Sequence, residues 1–210
     1  MHFGIDGKLY VAVGDDANGS NAPSLTSPFG KILRFNADGT IPVDNPFFGQ
    51  TSGINRAIWA RGLRNPFTFA IEPGTAPMHI NDVGQSAWEE INLGRAGADY
   101  GWPATEGPTA NASYDTPLLA YAHVDSPTLF EGNAVVGAAF YHPSTMMFGE
   151  SFAGDYFFAD YVQGWIYRLD QTVGGATAFA WVQGFPTDLA VAPDGALFVL
   201  VDNRIERIAR

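Results

Sequence analysis

The side chains able to do chemistry in this 210-residue chain are few and widely spaced. His2, His79, His123 and His142 stand at no spacing that would bring two imidazoles onto one metal, and His79, His123 and His142 read as structural or exposed. There is no Cys, which excludes disulfides, thiolate metal sites and thiol catalysis. No glycine-rich phosphate loop precedes a helix, no nucleophile elbow is present, and no two carboxylates stand at a spacing that suggests glycosidase work. The composition does supply oxygen. The 22 acidic residues outnumber 11 Lys and Arg, for a formal net charge of −11, a balance that can surround a hard cation with several oxygens. The same balance cannot neutralise a phosphate backbone or an anionic membrane surface, so nucleic acid is not an expected partner.

The elements that must position such residues are strands. With 24 Gly, 14 Pro and only 16% charged residues, the chain suits short strands joined by tight turns better than long helices. Its 46% hydrophobic content can fill a sizeable core. The run Ile5-Asp6-Gly7-Lys8-Leu9-Tyr10-Val11-Ala12-Val13 is echoed by Pro193-Asp194-Gly195-Ala196-Leu197-Phe198-Val199-Leu200-Val201. In each, an Asp-Gly turn suited to positive φ opens a strand of alternating apolar positions.

A second strand with an Ile-x-Arg flavour follows each copy, at Lys31–Phe35 and Arg204–Ile208, and Trp165–Leu169 follows Asp155–Asp160 in the same way. Met78–Val83 and Glu90–Leu93 form a further pair. Strand-turn-strand units recurring at roughly 40 to 70 residues describe an all-β fold of β-propeller type; a β-sandwich is the alternative. The stretches Gly14–Phe29 and Ala104–Ser126 lack periodicity and read as long loops. Asn18-Gly19-Ser20 and Asn111-Ala112-Ser113 satisfy the glycosylation acceptor pattern, which chance often meets. No apolar run reaches the roughly 18 residues that cross a bilayer, and residues 1–210 read as one domain.

Several stretches resemble the glucose/sorbosone dehydrogenase family: Asp6-Gly7-Lys8-Leu9-Tyr10 to Val13-Gly14-Asp15, Gly30-Lys31-Ile32-Leu33-Arg34 to Asp44-Asn45-Pro46, Gly62-Leu63-Arg64-Asn65-Pro66, Asp82-Val83-Gly84-Gln85 with Trp88-Glu89-Glu90-Ile91-Asn92, and Asp99-Tyr100-Gly101-Trp102-Pro103. The resemblance implies a six-bladed propeller, of which this chain would hold about four blades, with pyrroloquinoline quinone (PQQ) and calcium as cofactors and a small-molecule sugar as substrate. It also implies oxidation of the sugar's anomeric carbon by hydride transfer to the quinone, in a periplasmic or extracellular protein.

Carried over residue by residue, the resemblance makes Asp15 the carboxylate that supports the catalytic base. Asp15 reads equally well as a turn residue capping its own loop. Arg64, with Asn65, would reach the quinone or substrate, the alternative being that the two simply hydrogen-bond loop carbonyls before Pro66, and Gly84 and Gln85 would hold the cofactor's calcium through backbone carbonyls. Glu90 and Tyr100 match a second, structural calcium site, with loop residues near Glu106 as further ligands; Glu90 reads equally well as a surface carboxylate on a loop. The family's catalytic His precedes the first of these motifs, so the chain is expected to be inactive alone, and His2, placed where the family has a strand residue, reads as an ordinary side chain.

One departure is marked. Where catalytic members answer the three carboxylates of PQQ with a Lys and two Arg, this chain has Tyr161-Val162-Gln163 and Phe185-Pro186-Thr187. Losing three charge-assisted hydrogen bonds of roughly 1.5 to 3 kcal/mol each would cost several orders of magnitude in affinity. A non-catalytic propeller that binds a saccharide or a protein is therefore the alternative function. Open blade edges would let two copies pair as a homodimer.

Overall fold

The computed structural model describes residues 1–123, 130–172 and 174–210. The chain folds as two compact units, Met1–Tyr121 and Ala122–Arg210. Among the described residues the architecture is all-β, with only short 3-10 turns beside the strands. The first sheet holds β1 (His2–Phe3), β2 (Leu9–Val13), β3 (Lys31–Phe35) and β4 (Ile58–Arg61); the second holds β5 (Pro66–Ile71), β6 (Met78–Asp82), β7 (Trp88–Leu93) and β8 (Leu119–Ala122). The third holds β9 (Val135–Phe140), β10 (Tyr156–Asp160), β11 (Trp165–Asp170) and β12 (Gly175–Trp181), and the fourth β13 (Pro186–Val191), β14 (Leu197–Val201) and β15 (Arg204–Ile208). Each sheet pairs its strands in chain order, which is the meander of a propeller blade; a Greek-key sandwich would interleave them.

The turn chemistry explains the hairpins. Gly7, Gly39 and Gly195 have φ of 70°, 83° and 86°, a region that costs glycine nothing. In each turn the preceding aspartate, Asp6, Asp38 or Asp194, accepts the amide two residues on. The strands then bury both faces. In the 1–121 unit, Ile32 of β3 packs with Tyr10, Phe69, Met78 and Ile80, while its neighbour Leu33 points the other way, under Leu25, Ile41 and Phe47. In the 122–210 unit all of β10 is buried. Phe157 and Ala159 meet Leu189, Val199 and Val201 from the fourth sheet, and Tyr156 and Phe158 face the opposite way, Phe158 edge-on to Trp165. Each such aromatic ring contributes about 1.5 to 3 kcal/mol by burial.

The expected loop Gly14–Phe29 is pinned from below. Lys31, fully buried, donates from Nζ to the carbonyls of Asn21, Ala22 and Phe29 at 2.8, 2.8 and 2.7 Å. The expected loop Ala104–Ser126 is interrupted by β8, whose short apolar-polar run was too weak to stand out, and its residues 124–126 lie outside the described residues.

A further repeat joins the blades. An aspartate ends or follows the second strand of every sheet: Asp15, Asp82, Asp160 and Asp202. Asp82 accepts the amides of Arg64 and Asn65, at the start of its own blade, at 3.0 and 2.6 Å. Asp160 accepts those of Asn133 and Ala134 at 2.8 and 2.9 Å, and Asp202 that of Phe185 at 3.3 Å. These carboxylates tie the connection entering each of these blades to its second hairpin, and so decide which loops share one blade end.

Candidate functional site

Three loops of the 1–121 unit meet at that end. The Asp15 amide donates to the Arg64 carbonyl at 2.8 Å. The Arg64 guanidinium crosses to the β6–β7 loop, where Nε donates to Gln85 Oε1 at 2.9 Å and Nη1 to the Val83 carbonyl at 2.9 Å and to the Gly84 carbonyl. Asp15, Arg64, Asn65, Gly84 and Gln85, which the sequence spreads over 71 positions, are thus one constellation. Asp15 is buried; its Oδ1 accepts the Ala17 amide at 3.0 Å and its Oδ2 the Trp102 indole N–H at 2.9 Å. The turn-capping role is therefore present, and the second oxygen is held by an aromatic donor. Trp102 is a site residue that the motif reading did not single out. His2 lies opposite Tyr10 near the start of β2, with its ring edge-on to Phe69 at 4.9 Å, at the far end of that strand from Asp15.

Beneath the guanidinium lies a cavity of about 10 Å³, room for a single water or ion, lined by Arg64, Asp82, Gly84, Glu90, Tyr100, Trp102, Thr105 and Glu106. Asp82 and Glu90 are direct partners in the β6–β7 register and both are buried. Burial first, and the Glu90 carboxylate second, push the Asp82 carboxyl up to about 8. Burial likewise raises Glu90, although it accepts the Asn92 side-chain amide at 2.9 Å and the Gly107 amide at 2.6 Å. Two facing buried carboxylates are a costly pair unless a proton or a cation lies between them.

Glu106 behaves in the opposite way. Burial works against its charge, but its Oε1 accepts the amides of Gln85, Ser86, Ala87 and Trp88 at 2.7, 2.9, 3.0 and 3.3 Å, and these hold its carboxyl below the usual range. The nest explains the glycine at 84. A Cβ there would stand 1.7 Å from the Trp88 carbonyl oxygen and 2.8 Å from Glu106 Oε1.

The donor set fits a hard cation in part. Asp82, Glu90 and Glu106 supply carboxylates around an ion-sized space, and Tyr100, whose hydroxyl donates to the Leu93 carbonyl at 2.8 Å, has only its own carbonyl left to offer. Among the described residues no three His, Cys, Asp or Glu side chains converge closely enough to hold a metal by themselves, so backbone oxygen would have to complete the shell. Gln85 does not line the cavity, and the Gly84 carbonyl is turned to Arg64. Asp82 is the residue sequence reasoning missed as part of the site; its recurrence as the aspartate closing each second strand was the available signal. The other expected histidine role is resolved by burial, which lowers His79 to about 4 and keeps it a neutral core side chain.

Comparison with known proteins places the chain in a family. The glucose/sorbosone dehydrogenase family model matches residues 1–210. The chain belongs to this family. It is 33% identical over 152 residues to an aldose sugar dehydrogenase of Escherichia coli, covering 67% of the chain and 41% of that protein. It is 31% identical over 131 residues to quinoprotein glucose dehydrogenase B of Acinetobacter calcoaceticus, covering 53% of the chain and 27% of that protein. A crystal structure of a putative glucose dehydrogenase from Thermus thermophilus superposes with a TM-score of 0.79 at 29% identity, covering 96% of the chain and 58% of that structure. The four sheets are blades of the family's β-propeller, and the chain spans between about a quarter and about three-fifths of these relatives. No helix among the described residues is long and apolar enough to cross a membrane.

Proposed function

We propose that the protein oxidises an aldose sugar at its anomeric carbon, with Asp15, Arg64, Asn65, Gly84 and Gln85 forming its share of the quinone site. The observation that carries the reading is the Arg64 guanidinium, which is held at the blade end by the Val83 and Gly84 carbonyls and the Gln85 amide. These residues would hold PQQ with calcium, a group that would supply a hydride acceptor. The chain's own residues bind and orient. Arg64 brings positive charge to a region otherwise rich in carboxylate and would turn from the Gly84 carbonyl to an anionic oxygen. That turn would free the Gly84 carbonyl, next to that of Gln85, for the cofactor's calcium. Asp15, fixed by Trp102, would orient the imidazole of a base. Asp82, Glu90 and the Tyr100 carbonyl would hold the second calcium, with Glu106 shaping the 85–88 loop above it.

A second reading has an observation in its favour. The loops expected to carry cations for the PQQ carboxylates carry Tyr161 and Phe185, whose rings stack on each other at 5.0 Å. A propeller that binds a saccharide without oxidising it would have this composition. The remaining proposals are that residues 1–210 form one partial-propeller domain, that the free edges of such a domain pair two copies, and that the protein works in the periplasm or outside the cell. Titration of the purified chain with PQQ, with and without calcium, tests the first reading. Calcium-dependent, stoichiometric uptake that Arg64→Ala weakens is expected; no uptake at high micromolar PQQ would leave the binding module.

A further inference from the structure

In the 122–210 unit, Tyr161 and Phe185 are exposed, at 40% and 48%, although their rings stack at 5.0 Å and 24°. Exposed single apolar residues are ordinary on a protein surface. These two differ in being held. Asp160 is fully buried, and its Oδ1 accepts the Val162 and Gln163 amides at 2.9 and 2.8 Å, so the turn that presents Tyr161 is closed from beneath. The Tyr161 amide itself donates to the Ala134 carbonyl at 2.8 Å. Phe185 is clamped at both backbone atoms, with its amide to Asp202 Oδ1 at 3.3 Å and its carbonyl accepting the Asp202 amide at 3.2 Å. The backbone is therefore pre-organised to present two rings to solvent, an arrangement that contributes little to the core and much to a ligand.

The blade repeat gives the location a meaning. Tyr161 follows Asp160 as Val83 follows Asp82, and Phe185 gives its amide to Asp202 as Arg64 and Asn65 give theirs to Asp82. Each ring stands at the end of its own blade that is equivalent to the one carrying the Arg64 constellation. The charge then disfavours an anionic ligand. Arg204, a cation two residues beyond Asp202, is committed to the Gln183 carbonyl and to Asp202 and Glu206, and the chain as a whole carries −11. An anionic ligand would gain no counter-charge from it. An outer face of the stacked pair, with the exposed Gln163 two residues along the chain from Tyr161, matches a neutral ring with C–H bonds on one face and hydroxyls at its edge.

We propose that Tyr161 and Phe185 form a stacking platform for the C–H face of a neutral pyranose sugar. The choice of sugar deepens the reading of the protein as one that acts on aldoses, but the platform does not depend on oxidation. Saturation-transfer NMR on the purified chain with glucose and with maltose tests it. Transfer to the sugar's ring protons is expected, with Tyr161→Ala and Phe185→Ala each weakening binding by roughly tenfold and Tyr161→Phe preserving it. Thermal melts should leave all three variants folded, because both side chains are exposed. Binding that survives both alanine substitutions, or an absence of sugar binding by a chain that takes up PQQ, would overturn the platform. Ring-dependent sugar binding by a chain that takes up no PQQ would sustain it while removing the oxidative reading.

Discussion

Replacing Glu106 by Gln isolates what holds the loop above the ion-sized cavity. One carboxylate oxygen accepts four consecutive amides, from Gln85 to Trp88. Glutamine keeps a single acceptor oxygen of the same reach but loses the charge, so each bond falls from a charge-assisted to a neutral one, a difference of about 1 kcal/mol for a well-formed bond. The loop is largely exposed and the bond from Trp88 is long, so the four together should cost about 2 kcal/mol, and Glu106→Ala somewhat more. The pH dependence has a definite sign. The folded carboxyl lies below its usual value, so its contribution is complete above the unfolded value near 4.5 and disappears as pH falls through the folded one. Amide hydrogen exchange read at residues 85–88 is the assay. The variant should lose protection at those four amides while β6 and β7 keep theirs. Unchanged protection there would refute the claim that Glu106 organises the loop.

Two further predictions concern buried charge. Asp82 and Glu90 face each other across the β6–β7 ladder at a spacing of roughly 5 Å, where two charges repel by about 3 kcal/mol in an effective dielectric near 20. Because both carboxyls are raised, Asp82 to about 8, the folded state retains protons that the unfolded state releases, and stability in EDTA should fall between about pH 4 and 8 by up to about 1.4 kcal/mol per pH unit and proton. Urea unfolding at stepped pH should show this fall, calcium should flatten it, and Glu90→Gln should lessen it while burial still raises Asp82; parallel curves with and without calcium would count against a cation there. Lys31→Met should cost about 2 to 4 kcal/mol, because it strands three carbonyls of the 14–30 loop. The Trp102 indole N–H resonance, which reports the bond to Asp15, should shift in the same variant if that loop positions Asp15.

Much of the fold was legible before any coordinates. Asp-Gly turns before alternating runs announced β2 and β14 because both the turn and the strand are written in consecutive residues, and the Ile-x-Arg strands β3 and β15 begin and end where expected. Strands without a turn signal were not seen: β4, β5, β9 and β13 follow irregular connections, and their membership in a sheet depends on partners they find by pairing. The candidate site was legible only as a set of family-like motifs. The motifs located Arg64 and Gln85, but the bond between them joins residues 21 positions apart, and no local pattern encodes that.

The sequence by itself determined the chemistry on offer: an acid-rich, cysteine-free chain with Arg64 and several carboxylates in glycine-marked loops. The tertiary structure decided how those groups are used. Glu106 and Glu90 carry the same side chain, yet four amides pull the first below its usual range and burial opposite Asp82 pushes the second above it. A carboxylate's charge state depends on its desolvation and its neighbours, and both are properties of the folded blade that the order of residues along the chain does not contain.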